Sequence, residues 1–167
     1  MWHTRAENTR DITDIHAVVA AAFPTEFEAD LVDALRADPE AWIEGLSIVA
    51  ESADGQVVAH ALLTRCQIDG APALALAPCS VHPDHQRSGA GSAAIRHGLA
   101  AARDLGENLV LVLGHPAYYP RFGFTPASGF GVRAPFDAPG DAFLARALDP
   151  ERPTPTGLVR YPAAFGV

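Results

Sequence analysis

The chain has 167 residues, a length suited to one domain with a core of its own. Hydrophobic residues make up 49%, which excludes a disordered chain, and no apolar run reaches the length needed to span a bilayer. The net charge of −8, from 12 basic and 20 acidic residues, argues against a nucleic-acid partner and mildly favours a cationic one.

The N-terminus, from Met1 through Trp2 to Glu7, leads into no apolar signal core, so a cytoplasmic location with no membrane partner is expected. Two cysteines, Cys66 and Cys79, are too few for a disulfide framework. Asp11 to Phe23 is expected to be a helix, because Ile12, Ile15, Val18, Val19 and Ala22 recur at helical spacing. Pro24 or Thr25 restarts the chain, and Phe27, Leu31, Ala34 and Leu35 mark a second helix. Leu46 to Glu51 reads as a strand, followed by the hairpin signal Asp54-Gly55 and a second strand from Gln56 to Gln67. Asp69-Gly70 makes another turn, and Ala73 to Val81 is the third strand of this meander.

Gln86 to Leu105 predicts a long helix with Ile95, Leu99, Ala102 and Leu105 on one face, stopped by Gly106. Leu109 to Leu113 is a continuous apolar run, the pattern of a strand buried on both faces. Pro116 to Phe122 reads as a short helix or turn, and Phe124-Thr125 and Phe143 to Leu148 as last strands. From Pro150 the tail is proline-rich and expected to be irregular until Leu158 to Tyr161. With no repeat and no linker, residues 1–167 read as a single domain of mixed α/β (α+β) class.

The most informative segment is Val81-His82-Pro83-Asp84-His85-Gln86-Arg87-Ser88-Gly89-Ala90-Gly91-Ser92. A strand ends, a polar loop follows, and a helix opens with two glycines. Glycine there lets a ligand reach the backbone, and the first N–H groups of a helix have no internal partner. Together with the helix dipole they suit a diphosphate, to which Arg87 adds a charged fork. A Walker loop needs a lysine that this chain lacks, and a dinucleotide fold needs a third glycine behind the first strand.

Gln86-Arg87-Ser88-Gly89-Ala90-Gly91 resembles the Gln/Arg-x-x-Gly-x-Gly/Ala signature of the GNAT superfamily of N-acetyltransferases. The lead-in Ser80-Val81-His82-Pro83 and the later Tyr118-Tyr119-Pro120-Arg121-Phe122-Gly123-Phe124 are similar to that family too, the latter to its Tyr-x-x-x-Gly-Phe motif. The resemblance covers the chain to about Leu148 and points to a bacterial branch. It implies a mixed, mostly antiparallel sheet flanked by helices, whose fourth and fifth strands splay apart. Acetyl-CoA, as co-substrate, would lie in the gap. Its pantetheine arm would pair with the backbone near Cys79, Ser80 and Val81, and its pyrophosphate would rest on Gln86, Arg87, Ser88, Gly89, Ala90, Gly91 and Ser92. The acceptor would be an amine of a small molecule or peptide.

By the same resemblance Tyr119 is the general acid that protonates the leaving thiolate; Tyr118 reads as a packed aromatic. Some family members carry a base on the fourth strand, but Ala73 to Val81 contains no carboxylate. His115 is the first candidate, beside His82, Glu26, Glu28, a water chain, or no base at all. A non-catalytic coenzyme A sensor on the same fold is the alternative function. Cys79 lacks a His-Asp pair and reads as a small buried strand residue, not a nucleophile. Cys79, His82 and His85 have metal-like spacing, yet Pro83 interrupts them and a fourth ligand is missing, so no metal is expected. Trp2 and Trp42 read as packing residues. Thr156 to Val167, with Arg160, Tyr161 and Phe165, has three readings: acceptor-pocket lining, a homodimer contact, or an ordinary closing strand.

Overall fold

The structure, a computed structural model, describes residues 2–167. Among the described residues there are nine strands: β1 (His3–Ala6), β2 (Ser47–Glu51), β3 (Val57–Ile68), β4 (Ala71–Val81), β5 (Leu109–Leu113), β6 (Thr125–Pro126), β7 (Val132–Arg133), β8 (Phe143–Ala147) and β9 (Gly157–Arg160). Three α-helices accompany them: α1 (Ile12–Ala22), α2 (Phe27–Arg36) and α3 (Ala90–Asp104). The sheet order is β1-β2-β3-β4-β5-β8-β6, with β9 against β3 and β7 against β9. Pairing is antiparallel except β4 with β5 and β7 with β9.

Alternation along the strands divides the core. Val110 and Val112 of β5 join Ile48, Leu63, Leu74 and Leu76 beneath α3, which contributes Ala94, Ile95 and Leu99. Leu109 and Leu111 point the other way, with Ile68, Phe143 and Val159. The apolar run Leu109 to Leu113 is thus covered on both faces except at its exposed end, Leu113. Helices α1 and α2 cover the opposite face of β2 and β3, where Ile15, Val19, Val32 and Leu35 meet Val49 and Leu62.

Polar contacts tie the first strand to this layer. Arg5 donates to both carboxylate oxygens of Asp11, at 2.7 and 3.0 Å, and to Glu51 at 3.2 Å. Arg36 of α2 grips Glu7 with two bonds of 2.9 Å, and Ser47 donates to the same carboxylate.

One boundary differs from the sequence reading, two strands were not foreseen, and the tail forms its strand where one was expected. The helix expected from Gln86 starts at Ala90, because Arg87 (φ 61°) and Gly89 (φ 88°) adopt left-handed backbone and Pro83–His85 forms a separate 3-10 turn. Strands β1 and β7 carried no apolar signal: β1 is His-Thr-Arg-Ala at a sheet edge, and β7 has two residues. The tail forms β9, which pairs Gln67 with Arg160 and Ile68 with Val159. Its Tyr161 packs in the core beneath β8, and Phe165 packs against the α1–α2 layer.

Candidate active site

The parallel pairing of β4 with β5 covers only Leu74 with Val110 and Ala75 with Leu111. Beyond it β4 runs on to Val81 and β5 to Leu113 without further pairing. The fork opens where β4 bulges, with Ala77 and Pro78 both opposite Leu62 of β3. A bulge bends its strand and ends regular pairing, so β4 presents a free backbone edge from Leu76 to Val81. This is the splay that the sequence resemblance implied.

A cavity of about 530 Å3 fills the fork. One wall is α3, through Gly91 and Ile95, with Tyr118 and Tyr119. The other is the end of α1 and the start of α2, through Phe23, Phe27, Glu28 and Leu31. The floor is β4 from Leu76 to Val81, and Gly114 and His115 close the end of β5. The cavity therefore lies between the strands and is lined from both faces of the sheet.

A second cleft of about 440 Å3 adjoins it and is lined by Arg87, Ser88, Gly89, Ala90, Ser92 and Arg121, among others. The first backbone bond of α3 runs from the Ala93 N–H to the Gly89 carbonyl at 3.0 Å, leaving the amides of Ala90 to Ser92 ahead of the ladder. Gly89 supplies the left-handed residue that starts the helix. Gly91 is needed for a different reason: a methyl there would lie 2.7 Å from the Val81 side chain. Trp2 braces the turn, its indole N–H donating to the Ser88 carbonyl at 2.9 Å and its ring meeting His85 edge-on. Trp2 packs against the core, as expected, and adds this polar contact; Trp42 packs against the α1–α2 layer beneath the Arg36 guanidinium. Arg121 stacks on Tyr118 at 4.5 Å and donates to the Tyr118 carbonyl, so its guanidinium is held beside the cleft. The sequence reading had passed over Arg121, although it sits inside the Tyr-x-x-x-Gly-Phe motif.

Tyr119 lies inside the larger cavity with its hydroxyl beside the Cys79 thiol. Burial, and then the neighbouring Cys79, raise the phenol above its ordinary range, so the group is protonated at neutral pH. Burial likewise pushes the Cys79 thiol up to about 12, against a smaller opposing effect of Tyr119. The Cys79 thiol is therefore protonated at neutral pH, in keeping with its reading as a strand residue and not a nucleophile. The ring of Tyr119 is fixed by Phe124, 6.1 Å away in edge geometry, and by Gly114, where a methyl group would run into it. Tyr118 does more than pack: its hydroxyl lies 3.2 Å from that of Ser92.

The candidate bases separate. His115 is exposed at the cavity rim, and its carbonyl accepts the amides of Tyr118 and Tyr119. Glu28 lines the same cavity. His82 does not: its Nδ1 accepts the Asp84 amide at 3.2 Å. Glu26 is exposed, 3.6 Å from His16. Ser80 is buried in the cavity floor, whereas Gln86 reaches back to the Val81 carbonyl at 3.4 Å. None of the residues from Thr156 to Val167 lines this cavity, and Gly157–Arg160 forms a closing strand against β3.

Residues 12–124 match the Acetyltransferase (GNAT) family. The chain belongs to this family. It is 38% identical over 158 residues to the uncharacterized N-acetyltransferase YjhQ of Escherichia coli K12, covering 90% of this chain and 86% of that protein. It is 30% identical to the uncharacterized N-acetyltransferase YhbS of the same strain, covering 96% of both. The crystal structure of E. coli YhbS in complex with CoA superposes with a TM-score of 0.91 at 28% identity, over 99% of this chain and 92% of that one. A GNAT acetyltransferase of Brucella melitensis in complex with acetyl-CoA gives 0.80 at 35% identity, over 99% and 98%. Among the described residues no helix is long and apolar enough to cross a membrane.

Proposed function

We propose that this GNAT-family protein moves an acetyl group from acetyl-CoA directly to an amine of a small molecule or peptide, residues 1–167 acting as one unit. The observation that carries the reading is the cavity through the β4–β5 fork, which reaches a diphosphate-sized cleft on one side and the α1–α2 layer on the other. A donor and an acceptor entering from opposite faces meet there without an acyl-enzyme step, and none of the lining side chains is an activated nucleophile. Two homologous structures hold CoA and acetyl-CoA respectively.

The residues present fit that donor. Helix-start amides with Arg87 and Arg121 suit a diphosphate. The free edge of β4 offers backbone groups to an extended amide-bearing arm. Acetyl-CoA supplies a thioester carbonyl open to attack by nitrogen. The N–H groups of β4 stabilise negative charge developing on the carbonyl oxygen. Tyr119 holds its proton beside Cys79 and gives it to the departing sulfur. His115, at the rim, receives the proton that the amine gives up.

The test is release of free thiol from acetyl-CoA in the presence of a panel of primary amines, with calorimetric titration of CoA alongside. Amine-dependent release supports transfer. CoA binding with no release across the panel favours the non-catalytic sensor instead.

A further inference from the structure

Two buried polar groups in the cavity have no use in the scheme above. The Oε1 atom of Glu28 is shielded from solvent and makes no hydrogen bond with the protein. The Oγ of Ser80, a residue 3% exposed, is in the same position. Both residues line the one cavity, Glu28 from α2 and Ser80 from β4. Buried carboxylate oxygens are nearly always paired, because leaving one unpaired costs free energy. Elsewhere in this protein the buried or half-buried carboxylates of Asp11, Glu7 and Glu107 each have an arginine.

The cavity has a second unusual property. Among the described residues five large hydrophobic side chains are well exposed, and two of them, Phe27 at 54% and Leu113 at 49%, line it. With Phe23 and Leu31 they give an apolar lining to the cavity that Glu28 also lines.

We infer that Glu28 and Ser80 form the acceptor-selecting site, which takes a primary ammonium carried on an apolar body. This deepens the acetyltransfer reading and rests on it. An ammonium carries three donors and one positive charge. It has donors enough for both Glu28 Oε1 and Ser80 Oγ, and a charged donor makes the stronger bond. An alcohol brings one donor and no charge, and a carboxylic acid brings repulsion. A divalent metal ion would find one carboxylate and one hydroxyl, well short of the six or more oxygens that calcium takes. The hydrocarbon part of the ligand covers Phe27 and Leu113, removing exposed apolar surface from water. The net charge of −8 draws a cation toward the site from a distance.

The experiment uses phenethylamine as probe, with 2-phenylethanol as its neutral counterpart, on protein saturated with CoA. Calorimetry should show phenethylamine binding more tightly than the alcohol. Glu28→Gln, which keeps the shape and removes the charge, should weaken phenethylamine roughly 10- to 100-fold and abolish the preference over the alcohol. Ser80→Ala should weaken it less. Affinity for CoA and the melting temperature should hold in Glu28→Gln, showing that the fold and donor site are intact. In turnover with amines, Glu28→Gln should raise the amine KM while leaving the acetyl-CoA KM alone. Equal affinities for amine and alcohol in the wild type, or an unchanged amine KM in Glu28→Gln, would overturn the assignment. Those results leave amine acetylation standing, whereas absence of any amine-dependent thiol release defeats acetyltransfer itself.

Discussion

Tyr119 is held on several sides, and that fixity makes its role testable. Tyr119→Phe keeps the ring among Phe122, Phe124 and Gly114 and removes only the hydroxyl. The turnover number should fall by roughly 10²-fold or more, the low end for loss of a general acid, with little change in CoA affinity. Full turnover would mean that another proton source serves the leaving sulfur. Gly114→Ala tests the ring's position from the other side. The added methyl displaces the phenol, so kcat should drop while the diphosphate cleft, built from other residues, still binds CoA.

His60 makes a separate prediction, about stability. Its Nε2 lies 2.8 Å from the Ser47 hydroxyl, and burial, helped by Arg36, pushes its pKa down to about 3. The unfolded chain takes up a proton near pH 6.5, the folded one only near 3. Stability must therefore fall as pH drops below about 6.5, by about 1.4 kcal/mol per unit at most. His16, raised by its bond to Asp33, works in the opposite sense, so the slope is read as a difference between wild type and His60→Gln. Denaturant melts at pH 7 and pH 5 should show the wild type losing about 2 kcal/mol more than the variant. Parallel losses would contradict a buried neutral imidazole.

The turn from Gln86 to Gly89 and the helix that follows act as one element. Trp2→Phe keeps an aromatic ring and removes the N–H that holds the Ser88 carbonyl. Binding of CoA should weaken several-fold with little change in melting temperature. Arg121→Ala should also weaken it, and with a shallower salt dependence than wild type, since one cation is gone from the cleft. Unchanged CoA affinity in both variants would remove this cleft from the donor site.

These elements also mark what the sequence could show. The apolar run Leu109 to Leu113 and the glycine pair Gly89 and Gly91 announce a buried strand and an open helix start by residue type alone. The four-residue stagger of the turn was not legible, because the left-handed backbone at Arg87 is invisible where a non-glycine residue adopts it. Strand β1 was missed because its residues alternate no hydrophobicity; ion pairs from Arg5 hold it. Glu28 stood among four candidate bases, and only the approach of α2 to β4 separates it from Glu26, two residues earlier. Ser80 could be named from the motif, but its unpaired hydroxyl is a property of tertiary burial.

Across the whole molecule, in the proposed transfer the sheet divides the two reactants and the β4–β5 fork joins them. The α3 side carries the cleft with free amides and arginines; the α1–α2 side carries the apolar lining and the carboxylate of Glu28. A net charge of −8 suits a small cation approaching the second side, while the arginines at the first provide local attraction for phosphates. This division makes direct transfer the central claim, and one measurement reaches it. Protein, acetyl-CoA and a series of primary amines are mixed, and free thiol is followed with time. The account predicts steady release of thiol that depends on the amine, multiple turnovers per protein molecule, and an equal amount of N-acetyl product. Thiol release at the same rate without amine, or none with any amine, would contradict it.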